Sequence, residues 1–182
     1  SFVERLSVSA AHDALAADTL SRSTKDALEH RPVVDAVAAG LRESCDDVIA
    51  DPHPQVVPLA NVAHLATTIT ARVELTGPSA AEIACALHPT PAVGGTPRGA
   101  ALDAIAELET FDRDRYAGPV GWVDAHGDGE WAVALRCGEI DGRTAHLFAG
   151  AGIVEGSEPD AEWAETQAKL EPMLDAVLHL GL

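Results

Sequence analysis

The 182-residue chain is short of positive charge: 12 Lys and Arg stand against 29 Asp and Glu, a formal charge of −17. Such a balance argues against nucleic acid or an anionic membrane as a partner, because bulk attraction has the wrong sign. A small anionic ligand would need local cations or a metal ion. Cysteine is scarce and scattered: Cys45, Cys85 and Cys137 fit no CxxC spacing, and the expectation is reduced thiols in a cytoplasmic protein. No apolar run is long enough to span a bilayer. No basic, hydrophobic leader opens the chain, nor does an initiating Met; "SFVERLSVS" alternates as a strand does and reads as the interior of something longer. The eight histidines include no HExxH, "GTPRG" lacks the Lys-Ser/Thr ending of a phosphate loop, and there is no GxSxG elbow.

What is present is enough apolar material, 47% of residues, for one domain or a large piece of one. Residues 2–8 read as a strand and 12–20 as a short helix. A longer helix is capped by Ser23 or Thr24 and runs to about Glu43, bent or broken at Pro32. "NVAHLATTITARV" (61–73) is rich in β-branched residues and reads as a strand. Ser79 caps a helix that ends near Leu87. "HPTPAVGGTPRG" (88–99) is too rich in Pro and Gly for the interior of any element, and a helix restarts from Pro97 to Glu109. "AGPVGWVDA", "EWAVALRCGEI" and "RTAHLFAGAGI" are three strands separated by the hairpin signals "HGDG" and "DG", an antiparallel meander over 117–153. A last helix starts near Asp160 and is interrupted at Pro172. Helices are grouped with hairpin-linked strands, so the class is α+β, an antiparallel sheet flanked by helices.

Two helices carry acidic pairs on one side. Glu162, Glu165 and Lys169 are spaced i, i+3, i+7, and Asp26 and Glu29 share a face of "STKDALEH". On spacing alone each is an ordinary solvated face. If the two faces met, the repelling carboxylates would suit Mg²⁺, which takes one or two protein carboxylates together with water and an anionic ligand. Arg136, amid apolar alternation, belongs to a sheet edge or aims a forked guanidinium at a carboxylate. "GAG" at 150–152 is either a tight turn or a nest of backbone N–H groups.

Taken in order, "STKDALEH", "HLATTI", "LHPTPAVGGTP", "YAGPVGWVDAHGDGEWAVALR", "LFAGAGIV" and "EWAETQAKL" resemble the chorismate-utilising enzymes, most of all the isochorismate synthases of siderophore and menaquinone pathways. The similarity covers the chain from about Ser21 onward. It implies an anthranilate synthase component I-like chorismate-binding fold, of which residues 1–182 would be a single partial domain lacking the N-terminal half. It implies chorismate as ligand and Mg²⁺ as cofactor. By position, Glu29 and Glu165 match the family's Mg²⁺-binding glutamates, with Asp26 and Glu162 as supporting acids. Tyr116, Arg136 and Lys169 match residues that hold the substrate carboxylates. Gly150 and Gly152 match a backbone turn beside a carboxylate, and His64 matches a histidine lining the site. Ala92 matches a position where salicylate-forming relatives carry Thr, and the aminating relatives lack "HPTPAVGG" in this form; both favour isochorismate as product.

The family reaction adds water at C2 of chorismate and expels the C4 hydroxyl, with a lysine as general base and a glutamate as general acid. Neither Lys25 nor Lys169 lies in the base-lysine motif, and Glu4 is the candidate acid although the expected Ser-Pro before it is missing. The expectation is therefore little turnover by this chain alone. The alternatives are a sister chemistry (salicylate, anthranilate or aminodeoxychorismate synthesis) and a non-catalytic binding or assembly module that self-associates or pairs with a partner chain through exposed sheet edges.

Overall fold

The computed structural model describes residues 4–5, 24–58 and 62–179, and of residues 4–5, 24–29, 58 and 62–64 the backbone alone. The expected helix over 12–20 and most of the expected strand over 2–8 lie outside the described residues. In chain order the elements are β1 (Glu4–Arg5), α1 (Thr24–Leu41), β2 (Asp46–Ala50), β3 (Gln55–Pro58), β4 (Val62–Ala66), β5 (Ile69–Arg72), α2 (Ala80–Leu87), α3 (Pro91–Gly94), α4 (Arg98–Leu108), β6 (Pro119–Val123), β7 (Gly129–Val133), β8 (Cys137–Asp141), β9 (Thr144–Phe148) and α5 (Pro159–His179). Every described strand pairing is antiparallel.

Local chemistry explains most of these boundaries. The Ser79 hydroxyl accepts from the Glu82 amide while the Glu82 carboxylate accepts from the Ser79 amide, a reciprocal cap that starts α2. The Ser79 amide, and next its hydroxyl, donate to the Glu82 carboxylate and hold that carboxyl below its ordinary pKa. In the β6–β7 turn, Asp124 Oδ1 accepts from the amides of His126 (2.8 Å) and Asp128 (3.1 Å), and Gly127 takes φ +89°. The β8–β9 turn needs only Gly142, at φ +58°, and Arg143. Both hairpin signals in the sequence are thus realised.

Three expectations change. The 61–73 strand is two strands in two different sheets: β4 pairs with β1 and β3, whereas β5 pairs with β2. The three-strand meander is two separate hairpins, because "EWAVALRCGEI" breaks at 134–136, where Arg136 takes the left-handed conformation (φ +49°). Neither Pro32 nor Pro172 breaks its helix. A proline deletes one amide donor, and packing along the rest of a long helix can hold it together across that loss. Strands β2 and β3 carry no sequence signal comparable to the others.

α2 lies across the β6–β7 hairpin, α1 packs on α2, α3 and β2, and α5 lies along β9. The His30 ring on α1 reaches Thr67 Oγ1 at 2.7 Å, tying the end of "KDALEH" to the turn that leaves "HLA". Burial lowers the pKa of that imidazole. Among the described residues, the apolar side chains most withdrawn from water are only Ala38 and Ala117.

Candidate active site

The charged face of α5 points inward. Glu162 is 6% and Lys169 7% exposed, whereas Trp163, one residue round the helix, is 66% exposed. The solvated-face reading of this helix is therefore wrong. Lys169 Nζ pairs with Glu165 Oε1 at 2.6 Å and donates to the carbonyl of Gly150 at 2.9 Å. The predicted metal ligand and the predicted substrate cation thus meet in one nearly buried ion pair. An ammonium has three N–H donors, and these two contacts use two of them. Withdrawing such a pair from water is costly unless each charge keeps a partner, and here both do.

Gly150 joins this pair to an aromatic cluster. A Cβ added at Gly150 would lie 2.8 Å from the Tyr116 hydroxyl, so only glycine allows the phenol this approach. The Tyr116 ring stacks on Phe148 at 5.5 Å between centroids, and Phe111 meets Phe148 at 6.0 Å. Burial raises the Tyr116 pKa, which keeps the phenol protonated as a donor. Neither Gly150 nor Gly152 takes a positive φ, and Gly150 turns its carbonyl toward Lys169.

Arg136 sits on the kink between β7 and β8 rather than inside a strand. Burial lowers its pKa, and the negative charge of Glu165 acts in the opposite sense, so the two groups are within electrostatic reach. A left-handed φ on a residue other than glycine is tolerated where surrounding structure fixes it, which is common at functional positions. A cleft of about 350 Å³ opens beside this cluster, lined by Ala151, Ile153, Pro159, Glu162, Trp163 and Thr166. A second cleft of similar size, between α2 and the β6–β7 hairpin, is apolar and separate from the charged residues.

Ala92 is exposed on α3, inside the Pro/Gly loop. The loop is tied to the aromatic cluster by Arg113, which sequence reasoning did not single out. Its guanidinium donates to the Val93 carbonyl at 2.7 Å and lies 5.8 Å from the centre of the Tyr116 ring. The available signal was the i, i+4 pair Glu109 and Arg113 followed three residues later by Tyr116.

The side chains of Glu4, Asp26, Glu29 and His64 lie outside the described residues. Their backbones place Glu4 on β1 opposite Ala63, His64 on β4 opposite Val57, and Asp26 and Glu29 on the first turns of α1. Among the described residues, no three His, Cys, Asp or Glu side chains gather into a metal-holding cluster.

The family profile described as "Chorismate binding enzyme" matches residues 5–178. The chain belongs to the chorismate-binding enzyme family. Isochorismate synthase DhbC of Bacillus subtilis is 48% identical over 164 residues, covering 89% of this chain and 40% of the relative. Isochorismate synthase EntC of Escherichia coli is 43% identical over 163 residues, covering 90% of this chain and 41% of the relative. The crystal structure of a putative 2,3-dihydroxybenzoate-specific isochorismate synthase, DhbC from Bacillus anthracis, superposes with a TM-score of 0.92 at 43% identity over 96% of this chain and 47% of that one. The chorismate-binding fold is thereby established, and this chain spans less than half the length of these relatives. No helix among the described residues is long and apolar enough to cross a membrane.

Proposed function

We propose that this chain forms the carboxylate-binding and metal-binding side of an isochorismate synthase active site, taking chorismate to isochorismate for siderophore or menaquinone synthesis. The observation that carries the reading is the nearly buried Lys169–Glu165 pair set against Gly150 and Tyr116, with Arg136 in reach of Glu165. Chorismate is a dianion, and in a chain of charge −17 it needs such local donors. Lys169 has one N–H left for a carboxylate. Arg136 offers a two-pronged grip, and the protonated Tyr116 offers a neutral donor. Lys169 is a binding cation in this reading, not the base: its Nζ is engaged by Glu165 and the Gly150 carbonyl.

Mg²⁺ fits the donor set. Glu162 and Glu165 are hard oxygen donors one helical turn apart and withdrawn from water, and Glu29 would join them from α1. When bound, the ion would neutralise a substrate carboxylate and share the negative charge of the glutamates. The test is chromatography of products after incubation of chorismate and Mg²⁺ with the protein. Isochorismate is expected where a base-bearing N-terminal half accompanies this chain, with little turnover by the chain alone; salicylate plus pyruvate, or an aminated product, would overturn the assignment. Ala92 bears on the same choice: in an intact enzyme Ala92→Thr is expected to add pyruvate elimination as a side reaction, and unchanged product ratios would reduce the loop to a connector.

A second reading, a binding or assembly module, is favoured by one observation. Val120, Trp122 and Val123 of β6 are 58%, 56% and 45% exposed on a sheet that, among the described residues, has only two strands. Light scattering decides it: a stable assembly that binds chorismate without turnover would support it.

A further inference from the structure

Arg113 occupies the connector between α4 and β6 and makes more directed contacts than its exposed neighbours Asp112 and Asp114. Its Nε and Nη2 grip both oxygens of Glu109, at 2.7 and 2.5 Å, so the fork is held from behind by a carboxylate. Its Nη1 donates to the Val93 carbonyl at 2.7 Å. That carbonyl is near the end of α3, a single turn of Pro91–Gly94 that is too short to satisfy its own last carbonyls. A cation at the carboxyl end of such a turn satisfies one of them and complements the local dipole. The same guanidinium lies 5.8 Å from the centre of the Tyr116 ring, and the Tyr116 amide donates to the Arg113 carbonyl at 2.7 Å. Tyr116 in turn stacks on Phe148 and sets its hydroxyl against Gly150, whose carbonyl receives Lys169. One side chain therefore bridges the loop that bears Ala92 and the phenol that borders the charged cluster.

We propose that Arg113 is a positioning residue, which fixes the Pro91–Gly94 turn and the Tyr116 ring relative to each other so that the loop and the phenol enclose the ligand ring together. The inference rests on the reading of the site as a chorismate site. Lysine cannot replace the function fully. It has no planar fork, so a single ammonium cannot reproduce the two-pronged grip on Glu109 together with the Val93 contact. Glu109 belongs to the same unit: without its carboxylate the guanidinium loses the support that orients it.

Tyr116 is the chain's single tyrosine, which gives the test a direct reporter. The protein labelled with fluorotyrosine yields one fluorine resonance, read together with chorismate affinity by calorimetry in Mg²⁺ and with the urea midpoint. Arg113→Gln is expected to shift or broaden that resonance and to weaken chorismate binding by about 10- to 100-fold, the range for losing an outer contact that orients a binding group. Arg113→Lys and Glu109→Gln are expected to fall between it and the parent, and they carry the test if Arg113→Gln does not fold. The proposal is overturned if any folded variant of this set keeps the parent resonance, or if affinity falls only in step with the urea midpoint. Failure of the parent itself to bind chorismate would instead sink the chorismate reading, and the resonance would still judge whether Arg113 holds Tyr116.

Discussion

The β6–β7 hairpin and the inner face of α5 invert the usual distribution of side chains. The hairpin carries Val120, Trp122 and Val123 in the open, with all five β6 residues exposed. The helix face carries Glu162, Glu165 and Lys169 out of water. In most domains the apolar strand would be covered and the charges solvated. Among the described residues, Glu162 and Lys169 are nearly as withdrawn from water as the two buried apolar side chains, Ala38 and Ala117. The charges stay inside because each has a partner, whereas the described residues leave the apolar side chains of β6 uncovered.

The contrast can be broken first at Lys169. Lys169→Met strands Glu165 and the Gly150 carbonyl without their donor. The expected loss is about 3–5 kcal/mol, the typical cost of removing one member of a buried pair. Urea unfolding measures it, and a loss under about 1 kcal/mol would mean that the pair is solvated after all. Next comes Gly150→Ala. The new methyl would meet the Tyr116 hydroxyl, and the ring is stacked on Phe148 and cannot easily retreat. Overpacking of this kind costs about 1–3 kcal/mol, and chorismate affinity should fall with it.

A smaller effect, one of slope, belongs to His30. Its folded pKa is lowered by burial, so the unfolded chain binds the proton more readily in the window just below pH 6.5. The contribution is complete above the unfolded pKa and is lost as pH falls through the folded one. His30→Gln keeps a partner for Thr67 but cannot titrate there, so the urea midpoint of that variant should depend less on pH below about 6.5. An identical pH profile in the two proteins would show that the imidazole is not shielded. The smallest effect is expected at the hairpin. Trp122→Ser should change the stability of the chain by no more than about 0.5 kcal/mol, because the indole is already half in water. A loss above about 2 kcal/mol would show that something covers this strand in solution.

Much of the local structure was legible in the residues themselves. The Ser79 cap and the hairpin signals "HGDG" and "DG" each carry their own turn or cap chemistry, and each appears where the pattern places it. The break at Arg136 was not legible, because "EWAVALRCGEI" keeps the apolar alternation of one continuous strand. The split of 61–73 was hidden for the same reason: β-branched residues favour strands without saying how many, or in which sheet. The spacing of Glu162, Glu165 and Lys169 put three charges on one side of a helix but left open whether that side met water or protein.

Sequence alone therefore determined the longer helices, the hairpin turns, the acidic background and, through its ordered motifs, the family resemblance. Those depend on neighbours within a few residues or on motif order. Tertiary structure alone decided that Lys169 would find Gly150, 19 positions away, and that Arg113 would find Val93, 20 positions away. It also decided that the charged face of α5 would be the one turned inward. Such choices depend on which surfaces lose their water to each other, and no local pattern encodes that.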